Sequence, residues 1–257
     1  MNPQPIVLMY HGITNPLVAL PEEREVGGEL YDVPLEKFSA QMNYLKTNGY
    51  SVIDANLPSL TTNSKNVIIT FDDGELNNLT EALPVLKQLK FIAYFFIIAG
   101  RVGKKGYLGW NEVKALQKAG MIIGSHGLSH ETLTNLTDTQ IEQELQASKR
   151  TLEINLGTPI ESLSIPRGFC DDKLIKHAYH FGYKTVFISD RPIDLKSSCL
   201  SRIAVKNNWT LKRFEAALTG EIPLSESIVD LVKRIAKKIL RESSYNRLRN
   251  LIINISK

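Results

Sequence analysis

The sequence predicts a (β/α) barrel of about seven strands, and three observations carry that expectation. Short apolar, β-branched runs alternate with segments of helical period along most of the chain, the pattern of parallel βαβ units. The residues able to do chemistry follow the C-terminal ends of those runs, where barrels gather their sites. The length, 257 residues, suits one α/β barrel with a single large core, and 43% hydrophobic and 23% charged residues are ordinary for a globular protein.

Taken in order, Ile6–Tyr10 reads as a buried strand with His11-Gly12 at its end. Residues 14–34 form a long loop with Pro, Gly and an acidic patch at Glu22, Glu23 and Glu25. Such a loop in a compact domain serves function or moves, so a substrate-side lid is one expectation. Pro34 opens a helix over 35–48 with Phe38, Met42 and Leu45 on one face, and Gly49 stops it as a left-handed cap. A strand at 50–53 precedes VIITFDDG at 67–74; a helix at 77–90 and a strand at 91–98 follow. The remaining alternation is helix 110–119, strand 121–124, helix 139–155, strand 163–166, helix 173–181, strand 183–188 and a last strand at 200–205.

The run Val67, Ile68, Ile69 suits a strand buried on both faces, and it ends in two adjacent carboxylates, Asp72 and Asp73, before Gly74. Paired carboxylates at the mouth of a buried strand repel and lose hydration. A cation on one of them relieves this and leaves the other as a base; the plain alternative is a solvated Asp-Asp-Gly turn. About fifty residues on stands His126-Gly-Leu-Ser-His130. Residues four apart share one face of a helical turn, so both imidazoles can reach one cation, with Asp73 or Asp72 as third ligand. That donor set suits zinc and other late first-row ions such as cobalt or nickel.

TFDDG (70–74) followed by SHGLSH (125–130) resembles the first two motifs of the polysaccharide deacetylase (NodB-homology) family, carbohydrate esterase family 4. VLMYHGI, FSAQMNYLKTNGYSVI, SIPRG and FGYKTVF agree as well, so the likeness runs from Ile6 to Val205. It implies a distorted (β/α) barrel, Asp73, His126 and His130 as metal ligands, and Asp72 as the base that deprotonates the attacking water. It also implies a backbone N–H, that of Arg167, facing the oxyanion.

Two departures matter. Many members supply the acid from a Leu-x-x-His segment near the end of the domain, but no histidine follows His180 and the matching stretch carries Arg202. A permuted branch, similar to the poly-N-acetylglucosamine deacetylases, takes the acid from a strand ending Tyr-His, which points to His11. Many members also have an arginine two residues before the position of Pro166; here it is Ser164. Arg167 or Arg202 can replace that guanidinium from another direction, each with a plain surface role as alternative. Asp190 is a candidate to orient His11 or Arg202.

Other residues carry less. His177 and His180 read as helix-surface positions, Cys170 as a packed thiol, and Trp110 and Trp209 as core residues or sugar platforms. The two cysteines make no disulfide framework, and a net charge of +4 with no basic stripe before the C-terminus argues against nucleic acid. The chain divides into a barrel over 1–209 and a basic amphipathic helical extension over 210–257. Residues 228–257 hold eight Lys and Arg against two acids, net +6, which leaves −2 for the rest. That stripe either packs back on the barrel or meets an anionic membrane, in which case a lipid-linked sugar suits the site. The start of the sequence lacks a signal-peptide pattern, so the expected location is the cytoplasm or the inner face of its membrane. The function expected is metal-dependent N-deacetylation of an N-acetylated oligo- or polysaccharide of the bacterial envelope, or its precursor. The alternatives are a non-catalytic carbohydrate-binding barrel that keeps the metal site and, on the Asp-Asp tripeptide alone, a haloacid-dehalogenase-type phosphatase.

Overall fold

Seven parallel strands form a ring in which the last strand changes partner. The computed structural model describes residues 5–18, 20–22, 24, 27–56, 65–189, 195 and 198–221. Glu23, Glu25, Asp190 and the basic stripe of 228–257 lie outside the described residues. The elements are β1 (Ile6–Tyr10), α1 (Leu35–Thr47), β2 (Ser51–Val52), β3 (Asn66–Phe71), α2 (Leu83–Leu89), β4 (Tyr94–Ile97), α3 (Trp110–Lys118), β5 (Ile122–Ser125), α4 (Asp138–Leu156), β6 (Ser162–Ser164), α5 (Asp172–His180), β7 (Thr185–Ile188), β8 (Leu200–Ser201 and Ile203–Ala204, flanking Arg202) and α6 (Leu211–Thr219).

The sheet runs β7, β6, β5, β4, β3, β1, with β2 paired to the first residues of β3. The first half of β8 pairs with β7 (Leu200 with Phe187, Ser201 with Ile188) and the second half with β1 (Ile203 with Leu8, Ala204 with Met9). The switch happens at Arg202, and it brings the sheet round to its first strand. The fold is therefore the distorted (β/α) barrel expected, with seven strands in the ring and β2 as an eighth beside them.

Strand alternation divides the core into two layers. Val7, Ile68, Tyr94, Phe96 and Phe187 point inward and fill the barrel, while Leu8, Ile69, Phe95, Leu163 and Val186 point outward beneath the helices. Gly124 sits where a Cβ would come within 2.5 Å of the Phe96 ring, so its missing side chain is what admits that ring. The helix expected over 77–90 starts as a π turn, Asn78–Ala82, before α2. α6 packs on α1, with Phe214 fully buried and edge-on to Tyr44 at 6.3 Å. No helix of the described residues is long and apolar enough to cross a membrane.

Candidate metal centre and active site

The same alternation carries up to the barrel mouth. On β3, Ile68 and Thr70 face inward, so Asp72, one residue past the strand, faces inward too; its N–H donates to the Tyr10 carbonyl at 3.0 Å, continuing the ladder with β1. By the same count Asp73 belongs on the outer face. It adopts a left-handed φ of 72° instead, and the following Gly74 a φ of 74°, so the chain doubles back and the Asp73 carboxylate returns to the site. His126 follows β5 on its inward phase, and its N–H donates to the Ile97 carbonyl at 2.8 Å.

Asp72 is almost completely buried, and its charge is met by Arg202. The Arg202 Nη1 donates to Asp72 Oδ1 at 2.7 Å and Nη2 donates to Oδ2 at 2.8 Å, a bidentate fork. Nη2 also donates to the Ser164 hydroxyl at 2.8 Å, which in turn donates to Asp72 Oδ2 at 3.3 Å. The guanidinium is itself inaccessible and lies 5.6 Å above the Phe96 ring, a cation–π contact at the floor of the site. Burial pushes the Asp72 carboxyl up, but Arg202, helped by His126, outweighs it and holds the group well below the usual carboxylate range. Ser164 thus occupies the position of the missing arginine, and β8 supplies the guanidinium from across the barrel.

His126 is fixed by its other nitrogen. Nδ1–H donates to the Ser164 carbonyl at 2.9 Å, which turns Nε2 toward the aspartates. Burial lowers its pKa to about 4 against the opposing pull of Asp72, so the ring is neutral at physiological pH and its Nε2 keeps an open lone pair. The Nε2 atoms of His126 and His130 each lie 3.5 Å from Asp73 Oδ1. These are too long for hydrogen bonds, and Asp73 Oδ1 is buried with no hydrogen-bond partner among the described residues. Ligands about 2.0–2.2 Å from a shared tetrahedral ion sit about 3.4 Å apart. The orphaned oxygen and its two spacings therefore fit a divalent cation held by Asp73, His126 and His130, whose ligand atoms all lie within 4.8 Å of one another. Of the two aspartates left open as third ligand, Asp73 is the one whose oxygen lies in this group.

One expectation about this motif is corrected. The two histidines are not on a helical turn: Gly127 (φ 78°) and His130 (φ 68°) are left-handed, and the segment is an irregular loop. The rings meet at 4.9 Å because the loop folds back on itself. A helical turn would have kept both residues right-handed.

The remaining candidates fall at the same mouth in different ways. His11 follows β1 on its inward phase, packs its ring 4.9 Å from Tyr31, and lies within electrostatic reach of Asp72. Its carbonyl accepts from Asn78 Nδ2 at 2.8 Å, and its Nδ1 is buried without a hydrogen-bond partner among the described residues. Arg167 lies in the 3₁₀ turn Pro166–Gly168 after β6, with a left-handed φ of 58° and an exposed side chain. The arginine that clamps Asp72 is Arg202. Three of the four non-glycine left-handed residues described (Asp73, His130 and Arg167) belong to these site loops, where such strain concentrates.

Beside the site, Arg24 forks onto Asp32 and reaches Glu75 at 2.9 Å, while Asn77 Nδ2 donates to Glu75 Oε2 at 2.8 Å. This network ties the 14–34 loop to the residue after the DDG motif. Burial raises the Glu75 pKa to about 7 against the pull of Arg24. Sequence reading missed it, because Arg24, Asp32 and Glu75 share no local pattern. Away from the mouth, His177 Nδ1 lies 3.9 Å from Glu142 on the α4–α5 surface, Cys170 is buried, and Trp209 is buried beneath the Arg213 guanidinium.

Residues 59–186 match the model of the polysaccharide deacetylase family. The chain is 31% identical over 184 residues to YxkH of Bacillus subtilis, covering 69% of this chain and 62% of that protein. It is 35% identical over 128 residues to a peptidoglycan-N-acetylglucosamine deacetylase of Bacillus cereus, covering 49% of this chain and 58% of that one. The chain thus spans about three fifths of the length of these curated relatives. The crystal structure of BC0361, a polysaccharide deacetylase from Bacillus cereus, superposes with a TM-score of 0.70 at 27% identity, covering 83% of this chain and 68% of that one. With the TFDDG and SHGLSH motifs brought together at the mouth of a barrel of this topology, the chain belongs to the polysaccharide deacetylase (NodB-homology) family.

Proposed function

We propose that the chain is a divalent-metal-dependent N-deacetylase acting on an N-acetylated oligo- or polysaccharide of the bacterial envelope, or its precursor. The observation that carries this reading is the different setting of the two adjacent aspartates. Asp73 Oδ1 is orphaned between two imidazoles, and Asp72 is held ionised by Arg202 with its Oδ2 3.7 Å from His126 Nε2. Asp73, His126 and His130 would hold the ion, zinc best by donor chemistry, with cobalt or nickel as substitutes. When bound, a divalent ion polarises the acetamide carbonyl and acidifies the attacking water.

The other roles belong to the chain's own side chains. Asp72 takes the proton of the attacking water; among the described residues its Oδ1 accepts from Arg202 alone, and it retains a lone pair for that proton. Arg202 and Ser164 keep the carboxylate from rotating away. His11, at the end of the neighbouring strand β1, gives a proton to the departing amine. The backbone N–H of Arg167 is the oxyanion donor, a role supported by the left-handed turn and by the proximity of Pro166 to Gly127. The reading of a lipid-linked sugar and a membrane contact rests on residues 228–257, outside the described residues.

The test is acetate release from N-acetylglucosamine oligomers by protein stripped with chelator and then given zinc, cobalt or nickel. Release restored by metal and abolished in His126→Ala and Asp72→Asn is the expected result. Oligomer binding without acetate release under any metal would instead favour a carbohydrate-binding barrel.

A further inference from the structure

We infer that Glu144 of α4 is a positioning residue of the metal centre, holding the loop between His126 and His130 so that both present Nε2 to one cation; this rests on the metal reading above. The loop does not specify its own shape. It is irregular, carries left-handed residues at Gly127 and His130, and leaves its N–H groups without helical partners. Glu144 supplies them. Its Oε2 accepts from the N–H groups of Leu128 at 2.9 Å and Ser129 at 3.0 Å, and its Oε1 accepts from the Ser129 hydroxyl at 2.6 Å.

The third N–H of the loop is met by Ser125 at the end of β5, which the same helix face holds in turn. Gly127 N–H donates to the Ser125 hydroxyl at 3.2 Å, and that hydroxyl donates to Ser148 Oγ at 3.0 Å. Glu144 and Ser148 are four apart and so neighbour each other on α4. The helix is a firm platform: a Thr137–Gln140 capping box starts it, and Leu145 and Leu152 anchor it in the core. On the other side the Gly127 and Leu128 carbonyls accept from Ala99 and Gly100. Every loop N–H between the two histidines therefore ends on a side-chain oxygen, two of the three on Glu144. The carboxylate reaches the ion only through the loop it shapes.

The experiment measures zinc affinity by competition with a chromophoric chelator, and the cobalt(II) absorption spectrum, for wild type, Glu144→Ala and Glu144→Gln. Melting of the chelator-stripped proteins is followed alongside. Glu144→Ala is expected to bind zinc about 10- to 100-fold more weakly, the usual scale for losing a group that orients ligands, with an altered cobalt spectrum. Glu144→Gln keeps a carbonyl acceptor for both N–H groups and an amide donor for Ser129 Oγ, so it should stay within about threefold of wild type. Wild-type affinity in Glu144→Ala overturns the inference. So does a Gln variant as weak as the Ala variant, because charge and not loop geometry would then be what the ion feels. If stripped Glu144→Ala is already unfolded, Ser129→Ala decides: a smaller loss in the same direction supports the role and no loss overturns it. A folded wild type that binds no metal sinks the metal reading and this inference together. Metal binding that vanishes in His126→Ala yet is untouched in Glu144→Ala sinks the inference alone.

Discussion

Arg202 and Asp72, 130 residues apart in sequence, meet inside the barrel through two parallel hydrogen bonds of 2.7 and 2.8 Å, with both side chains shut off from water. The contact exists because β8 changes partner at Arg202, so the residue at the seam is on the inward phase beside the end of β3.

Removing one member of such a pair leaves a buried charge uncompensated. Arg202→Met should destabilise the protein by about 3–5 kcal/mol, measured by urea or thermal unfolding. Arg202→Lys keeps the charge but loses the fork. It should fold, with Asp72 less depressed and the acidic limb of the pH–rate profile moved to higher pH. An unchanged limb would mean that Asp72 is not the base.

His11→Ala separates proton donation from the rest of the site. Hydrolysis of an acetamide needs its amine leaving group protonated, and loss of a general acid costs about 10²- to 10⁴-fold in rate. An aryl acetate ester has a leaving group that departs unprotonated, so its turnover should fall far less. Equal losses on both substrates would assign His11 a structural role.

Gly124→Ala tests how the barrel interior is filled. A Cβ there meets the Phe96 ring at 2.5 Å and the Ser162 carbonyl at 3.0 Å. Overpacking of this kind costs about 1–3 kcal/mol, to be read as a lowered Tm. The same substitution at Gly157, where a Cβ meets nothing, lacks the clash but carries a φ of 69° and pays only for backbone strain.

The metal-free protein should lose stability on acidification through His126. Unfolded, its imidazole takes up a proton near pH 6.5; folded, burial holds it to about pH 4. Between those values the unfolded state binds more protons, so stability rises with pH and is lost as pH falls from about 6.5 toward 4. Melts in chelator at several pH values should show that slope in wild type. The difference between wild type and His126→Asn isolates the part belonging to this residue, and identical slopes would refute it.

Much of the site was legible in advance because strand ends are local features. An apolar β-branched run announces a strand, and period-2 alternation decides which residue past its end looks inward, as with Asp72 after Phe71 and His126 after Ser125. What alternation could not supply were residues that break it. Asp73 reaches the site only by a left-handed turn, and the His126–His130 pair is closed by an irregular loop, where residue spacing had suggested a helical one. Glu144 left no local signal either, since nothing in the α4 sequence marks which exposed-phase glutamate faces a loop 15 residues upstream.

By itself, the sequence determined the order of strands and helices, the barrel, and which polar residues stand at each strand end. Contiguous residues encode these through hydrophobic period and turn chemistry. Only the tertiary structure decided that Arg202 and not Arg167 clamps Asp72, that Ser164 fills the place beside it, and that α4 shapes the loop between the histidines. Each of those depends on which strand closes the ring and which helix lies behind it, and pairings so distant in sequence are chosen by packing of the whole core.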